Sequence, residues 1–174
     1  MRIALADGYR IRSYRAGDAA ALVAYADNRN VSRNLRDRFP YPYTADAAAR
    51  WLKHVAAEEP QTSFAIATVD ELIGGIGVEL GEDIHHRTGE IGFWLGEPFW
   101  GRGIVTAAVV AFTPWAFERF ALVRIWAGVF ESNLASARVL EKAGYAFEGR
   151  HRGAVVKDGR VLDELVYARL SGNG

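Results

Sequence analysis

The sequence predicts a mixed α/β fold whose first half is antiparallel, and three stretches carry that expectation. "SFAIATV" (63–69) and "LIGGIGVEL" (72–80) are apolar, strand-like runs separated only by Asp70 and Glu71, the pattern of an antiparallel hairpin. "FWGRGIVTAAVVAF" (99–112) places two glycines and an arginine before a long apolar run, as a tight turn feeding a helix does. "LVRIWAGVF" (122–130) is a β-branched strand followed by a helix over Asn133–Ala143, which Gly144 stops. Together they predict a mixed sheet of six or seven strands with helices between the strands.

The remaining elements fill this order. "YRIRSY" (9–14) alternates as a first strand, and Asp18 is expected to cap a helix that presents Leu22, Val23 and Ala26. Residues 29–43, "RNVSRNLRDRFPYPY", read as an irregular loop with room for one short helix, because two prolines bar a long one. Thr44 caps the next helix, whose apolar stripe is Ala48, Trp51, Leu52 and Val55, and Pro60 marks its end. "TGEIGFWLG" (88–96) adds a third neighbour to the hairpin. The chain closes with "YAFEG" (145–149) and "AVVKDGRVLDELVYARL" (154–170), where Asp158-Gly159 signals a hairpin turn. Pro114 is expected to kink the helix after the glycine turn.

Composition narrows the function classes. The chain has 174 residues, half of them hydrophobic, the size and make-up of a single domain over residues 1–174. Its 21 basic residues balance 21 acidic ones, so no global field recruits nucleic acid or an anionic membrane. With no cysteine there is no disulfide, thiolate metal site or cysteine nucleophile. His54, His85, His86 and His151 lack any metal-ligand spacing, so no metal is expected. The first residues contain no apolar block of signal-peptide length and no run reaches transmembrane length, which predicts a cytoplasmic, unprocessed chain.

A glycine turn opening a helix gathers unpaired N–H groups and the positive end of the helix dipole, which suits a phosphate-bearing ligand. A dinucleotide fingerprint would need glycine at position 106, which is threonine, and Glu97-Pro98 interrupts the strand before the turn. A P-loop would need lysine at its end, and no lysine appears there before Lys142. The third reading is a nest of N–H groups cradling a pyrophosphate with Arg102 as a fixed charge. The bland alternative, that the glycines only turn the chain, stays open on this motif alone.

"GEIGFWLGEPFWGRGIVTAAV" (89–109) followed by "RIWAGVFESNLASARVLEKAGYAFEG" (124–149) resembles the two central motifs of the GNAT superfamily of CoA-dependent N-acyltransferases. The likeness is greatest to the branch that includes the ribosomal-protein alanine N-acetyltransferases. It runs in the family's order from "YRIRSYRAGD" through "IGGIGV" and "HRTGEIGFWL" to "KDGRVLDELVYARL". The resemblance implies a twisted, mostly antiparallel sheet with helices on both faces and a splayed cofactor cleft between its two central strands. It implies acetyl-CoA as acyl donor and an amine acceptor, either a small molecule or a protein N-terminus. Backbone groups of the strand reaching Phe93, Trp94 and Leu95 would meet the pantetheine arm and the reaction's oxyanion. Gly101, Arg102, Gly103, Ile104, Val105 and Thr106 would hold the pyrophosphate, and Asn133 and Ser136 would line the cleft near the thioester. Glu90 is the general-base candidate, its alternative being a structural glutamate, and Ser136 is the candidate to deliver a proton to the leaving sulfur. Capping alone also accounts for Asn133 and Ser136.

Three departures from the family pattern are visible. Trp100 stands where Gln or Arg is usual, Val105 where Gly or Ala is usual, and Leu140 where many members carry a tyrosine acid. The segment 33–44 is the candidate acceptor wall, with Phe39 and Tyr41 as contacts and His86 as a third; packing on the core is its alternative. Trp94, Trp100, Trp115 and Trp126 are assigned mostly to packing. Related proteins often form homodimers, which extends that expectation here. The competing class is a non-catalytic module that binds CoA or a peptide on the same fold.

Overall fold

The computed structural model describes residues 1–172. Among them are eight strands in one sheet, ordered β1-β2-β3-β4-β5-β6-β8-β7. These are β1 (Arg2–Ala4), β2 (Arg10–Arg12), β3 (Ser63–Ala67), β4 (Leu72–Leu80), β5 (Thr88–Leu95), β6 (Arg124–Phe130), β7 (Ala146–Lys157) and β8 (Arg160–Leu170). The helices are α1 (Ala19–Ala26), α2 (Arg29–Ser32), α3 (Ala45–Ala56), α4 (Ile104–Arg119) and α5 (Leu134–Lys142). Eight strands exceed the expected six or seven because Arg2–Ala4 pairs antiparallel with Arg10–Arg12, a three-residue match too short for periodicity to register.

The chain divides into two compact units, one comprising Met1–Gly77 with Phe93–Ala108, the other Val78–Gly92 with Val109–Gly174. In the first unit, β1, β2, β3 and the start of β4 form an antiparallel run. The β3–β4 connection spans four residues, Thr68–Glu71, rather than the two expected, since Ala67 pairs with Leu72. The Thr68 hydroxyl accepts from the N–H groups of Asp70 (3.2 Å) and Glu71 (3.1 Å), so the side chain closes the turn. The core here gathers Leu22 and Ala26 of α1, Ala47 and Ala48 of α3, Tyr43, Ala65 and Leu72. Thr44 caps α3 as its sequence position predicts, accepting from the Ala47 N–H at 3.2 Å.

Asp18 departs from expectation. Its side chain makes no cap bond to α1. Both oxygens instead take the two terminal nitrogens of Arg12 at 2.7 Å, and Oδ2 also accepts the Arg15 N–H at 2.8 Å. Each partner's side chain is only 6% exposed. A cap bond is worth about 1 kcal/mol, whereas a carboxylate already desolvated beside a guanidinium must keep that partner, so the pair wins.

In the second unit, β5 runs parallel to β6 with Glu90 opposite Trp126, and β6, β8 and β7 continue antiparallel. The stretches 145–149 and 154–157, read separately in the sequence, join into one twelve-residue strand through two register shifts. Asp158 (φ 52°) and Gly159 (φ 73°) make the two-residue turn into β8, both left-handed as a type I′ turn requires. Helix α5 ends as Gly144 predicts: at φ 81° it sends its N–H to Glu141, and Tyr145 reaches back to Leu140, both at 3.0 Å. Helix α4 continues through Pro114, and the Val110 carbonyl that a proline cannot serve belongs to an exposed residue that water can satisfy.

Replacing Asp18 with Asn should cost roughly 3–5 kcal/mol in chemical denaturation, because the guanidinium is left buried and unpaired. Converting both partners together, Arg12→Met with Asp18→Leu, should recover most of that loss; equal losses for the single and double variants would show the pair is not what matters there.

Candidate active site

The turn before α4 is built from backbone conformations only glycine adopts cheaply. Gly101 has φ 75° and Gly103 φ 74°, with Arg102 between them and the first α4 residue, Ile104, next. The Gly103 carbonyl accepts the Ala107 N–H at 3.0 Å, which leaves the N–H groups of Ile104, Val105 and Thr106 without intrahelical acceptors. At neither glycine does any atom beyond its chain neighbours lie within 4 Å of where a Cβ would stand, so the turn itself is uncrowded. Open donors at a helix start, left-handed glycines and an exposed arginine form a nest for an anion, and the residues fit the pyrophosphate of CoA. Val105 is half-buried. A cavity of about 150 Å³ adjoins it, lined by Leu5, Asp7, Tyr9, Arg102, Gly103 and Ala107 among others.

Several residues that hold this turn were missed in the sequence. Trp100, assigned mostly to packing, is 43% exposed and donates its indole N–H to the Leu95 carbonyl at 2.7 Å, tying the turn to the end of β5. That strand-end carbonyl is therefore engaged. Glu97 accepts from the side-chain amides of Asn28 (2.7 Å) and Asn30 (2.9 Å), which hold its carboxyl below the usual range. Gly96 donates to Ile73 at 2.8 Å and lies so close to Tyr25 that a Cβ would be 2.9 Å from the tyrosine Cβ and 3.1 Å from its ring. An acidic residue before a proline had read only as a strand breaker, and no local pattern links Asn28 and Asn30 to it.

Of the remaining residues in this unit, Trp94 packs with Phe39, ring centroids 5.4 Å apart, and Phe39 also meets Tyr43 at 5.1 Å. Phe39 thus lies against the core cluster. Tyr41 is 50% exposed, with the Arg29 guanidinium 5.3 Å above its ring. Phe93 is half-buried.

In the second unit, Asn133 and Ser136 are brought together. Asn133 Oδ1 accepts the Ser136 N–H at 3.2 Å, which caps α5, and Nδ2 donates to Ser136 Oγ at 2.9 Å. The backbone donor fixes the amide's orientation. With Oγ acting as acceptor, its own proton is left to donate onward. Leu140 is fully buried, and the nearby Tyr145 hydroxyl bonds Thr113 Oγ1 at 2.8 Å with its pKa pushed up to about 12 by burial, so neither offers an acid. Glu90 sits half-buried on β5 in register with Trp126. His86 is exposed, with Nδ1 2.7 Å from the Asp83 carbonyl. No group of three or more potential metal ligands occurs among the described residues, nor any helix long and apolar enough to cross a membrane.

The glycine turn at the start of α4 and the capped Asn-Ser pair of α5 stand at the positions where the sequence resembles the two central GNAT motifs. The family comparison agrees. Residues 9–146 match the Acetyltransferase (GNAT) domain, and the chain belongs to that family. It is 39% identical to the probable N-acetyltransferase YjcK of Bacillus subtilis over 114 residues, 66% of this chain and 63% of that protein. It is 32% identical to the ribosomal-protein-serine acetyltransferase of Escherichia coli over 107 residues, 62% of this chain and 59% of that protein. These matches thus span about three fifths of either relative. Among solved structures, RimJ of Mycobacterium smegmatis, in complex with CoA-disulfide, superposes with a TM-score of 0.85 at 24% identity, covering 98% of this chain and 86% of that one, a likeness of fold.

Gly103→Glu should abolish measurable acetyl-CoA binding in calorimetry while the protein stays folded, since it puts a carboxylate and a strained left-handed residue into the nest. Undiminished affinity in a folded variant would move the pyrophosphate elsewhere.

Proposed function

We propose that the protein transfers the acetyl group of acetyl-CoA to a primary amine by direct attack when donor and acceptor are bound together, with a protein N-terminus or a small amine as acceptor. The observation that carries this reading is the open nest of Gly101–Thr106 at the start of a sixteen-residue helix, inside the region matched to the family. The match to a ribosomal-protein-serine acetyltransferase supports a protein N-terminus as the first acceptor class to test.

Acetyl transfer needs a neutral amine, donors for the oxyanion and a thiolate able to leave. Glu90 takes the ammonium proton, directly or through water, so that the nitrogen can attack the thioester carbon. The N–H groups of the strand near Phe93, Trp94 and Leu95 meet the carbonyl oxygen as it gains charge. The carbon–sulfur bond breaks, the nitrogen sheds its surplus proton as the amide forms, and that proton neutralises the departing thiolate, while Ser136, whose Oγ already accepts from Asn133, donates a hydrogen bond to the sulfur. A thiol with a pKa of about 8.5 leaves readily, so this last assistance is small. Phe39, Tyr41 and His86 remain candidate acceptor contacts, and a homodimer a candidate assembly.

A panel of amines and short peptides beginning with Ala or Ser, assayed for released CoA thiol, tests the reading against that of a non-catalytic CoA binder. Thiol release dependent on one amine class is expected; tight CoA binding with no release would favour the binding module. Glu90→Gln should lower kcat most near neutral pH and regain part of it at higher pH, where the amine loses its proton unaided. A uniform loss across pH would remove Glu90 as base. Ser136→Ala should reduce kcat by less than about tenfold, whereas a fall beyond about a hundredfold at unchanged KM would make it an obligatory acid.

A further inference from the structure

Glu164 is a largely buried carboxylate that the scheme above does not use. Its side chain is 16% exposed, and it faces His151, whose Nδ1 lies 3.5 Å from Oε2. The other oxygen, Oε1, lies over the backbone of Gly128, where a Cβ would stand well inside contact distance of it. No hydrogen bond takes Oε1, yet no buried side-chain polar atom among the described residues lacks a partner, so Oε1 is open to solvent. A carboxylate that is desolvated along its stem, seated by a glycine, and left with one uncommitted oxygen is arranged to accept a donor.

Its place in the sheet says which donor. Glu90 stands opposite Trp126, Gly128 opposite Val166, Phe130 opposite Glu164, and Glu164 opposite His151. Residues in register share a face and alternate along a strand, so Glu90, Gly128, Glu164 and His151 all lie on one face. Gly128 is two residues beyond Trp126, the partner of Glu90 and the last β6 residue in register with β5. Gly92, on the same face two residues beyond Glu90, has no atom within 4 Å of a would-be Cβ, so that face is open beside the base. We propose that Glu164, seated on Gly128 and braced by His151, binds a second positive charge of the acceptor, and so selects dicationic amines over monocationic ones.

This inference rests on the acetyltransferase reading. A second positive charge beside the reacting amine is carried either by a peptide α-amine followed by lysine or by an aliphatic diamine. Two pairs of acceptors separate those sources: peptides beginning Ala-Lys or Ala-Gln, and 1,6-diaminohexane or hexylamine. In one pair the wild-type protein should show the lower KM for the dicationic member, and Glu164→Gln should raise that KM about tenfold, leaving the KM for acetyl-CoA in place. Gly128→Ala, which pushes the carboxylate off its seat, should reproduce the rise. Equal KM values within both pairs for the wild type, or an equal rise for both members in Glu164→Gln, would overturn the proposal. If the wild type releases no thiol with any amine, the acetyltransferase reading itself falls. Calorimetry of the two peptides with the CoA-bound protein then still decides whether Glu164 prefers a second charge.

Discussion

The turn from Gly96 to Gly103 has to deliver the chain into α4 so that the N–H groups of Ile104, Val105 and Thr106 start the helix without intrahelical acceptors, and a chain left to itself would not hold that turn. Here the conformational entropy that two left-handed glycines lose is offset by fixing both ends. Gly96 is hydrogen-bonded to β4 and pressed against Tyr25, and Glu97 is gripped by two asparagine amides. The Trp100 indole returns to the Leu95 carbonyl, and the α4 ladder begins at Gly103. Preorganisation of this kind moves the ordering cost from ligand binding to folding. It also explains why tryptophan at position 100 is compatible with the family's turn: its contribution is a hydrogen bond to backbone, while the nest itself consists of N–H groups.

The Asn133–Ser136 pair follows the same economy in the other unit. One amide caps the helix and orients the serine hydroxyl at once, so capping and a chemical role do not compete. The loop that carries Asn133 is tied down nearby. Arg150 bridges Glu131 and Asp163, and the Asp163 N–H donates to Glu131 at 3.1 Å. With Leu140 and Tyr145 committed to the helix stop and the core, the serine is left as the proton donor to consider.

Polar side chains far apart in sequence were where reading the chain met its limit. Thr44, Asn133, Gly144 and Asp158-Gly159 were all legible, because a cap, a helix stop or a two-residue turn is decided by neighbours within a few positions. Asp18 sat at a cap position and was taken by Arg12 instead, a competition that depends on burial the sequence does not display. Phe39 was read as a candidate acceptor contact from its aromatic loop, and its packing on Trp94 depends on where β5 lies.

The sequence by itself determined the order of the longer helices and of the strands from β3 to β6, the glycine turn and the family, since each rests on periodicity, backbone permissiveness or a contiguous motif. Only the tertiary structure decided which carboxylates are spoken for. Asp18 is spent on Arg12 and Glu97 on two asparagines, while Glu164 keeps one oxygen uncommitted over Gly128. Whether a charge is paired depends on distances of a few ångströms between residues tens of positions apart, and strand register sets those distances where local pattern does not.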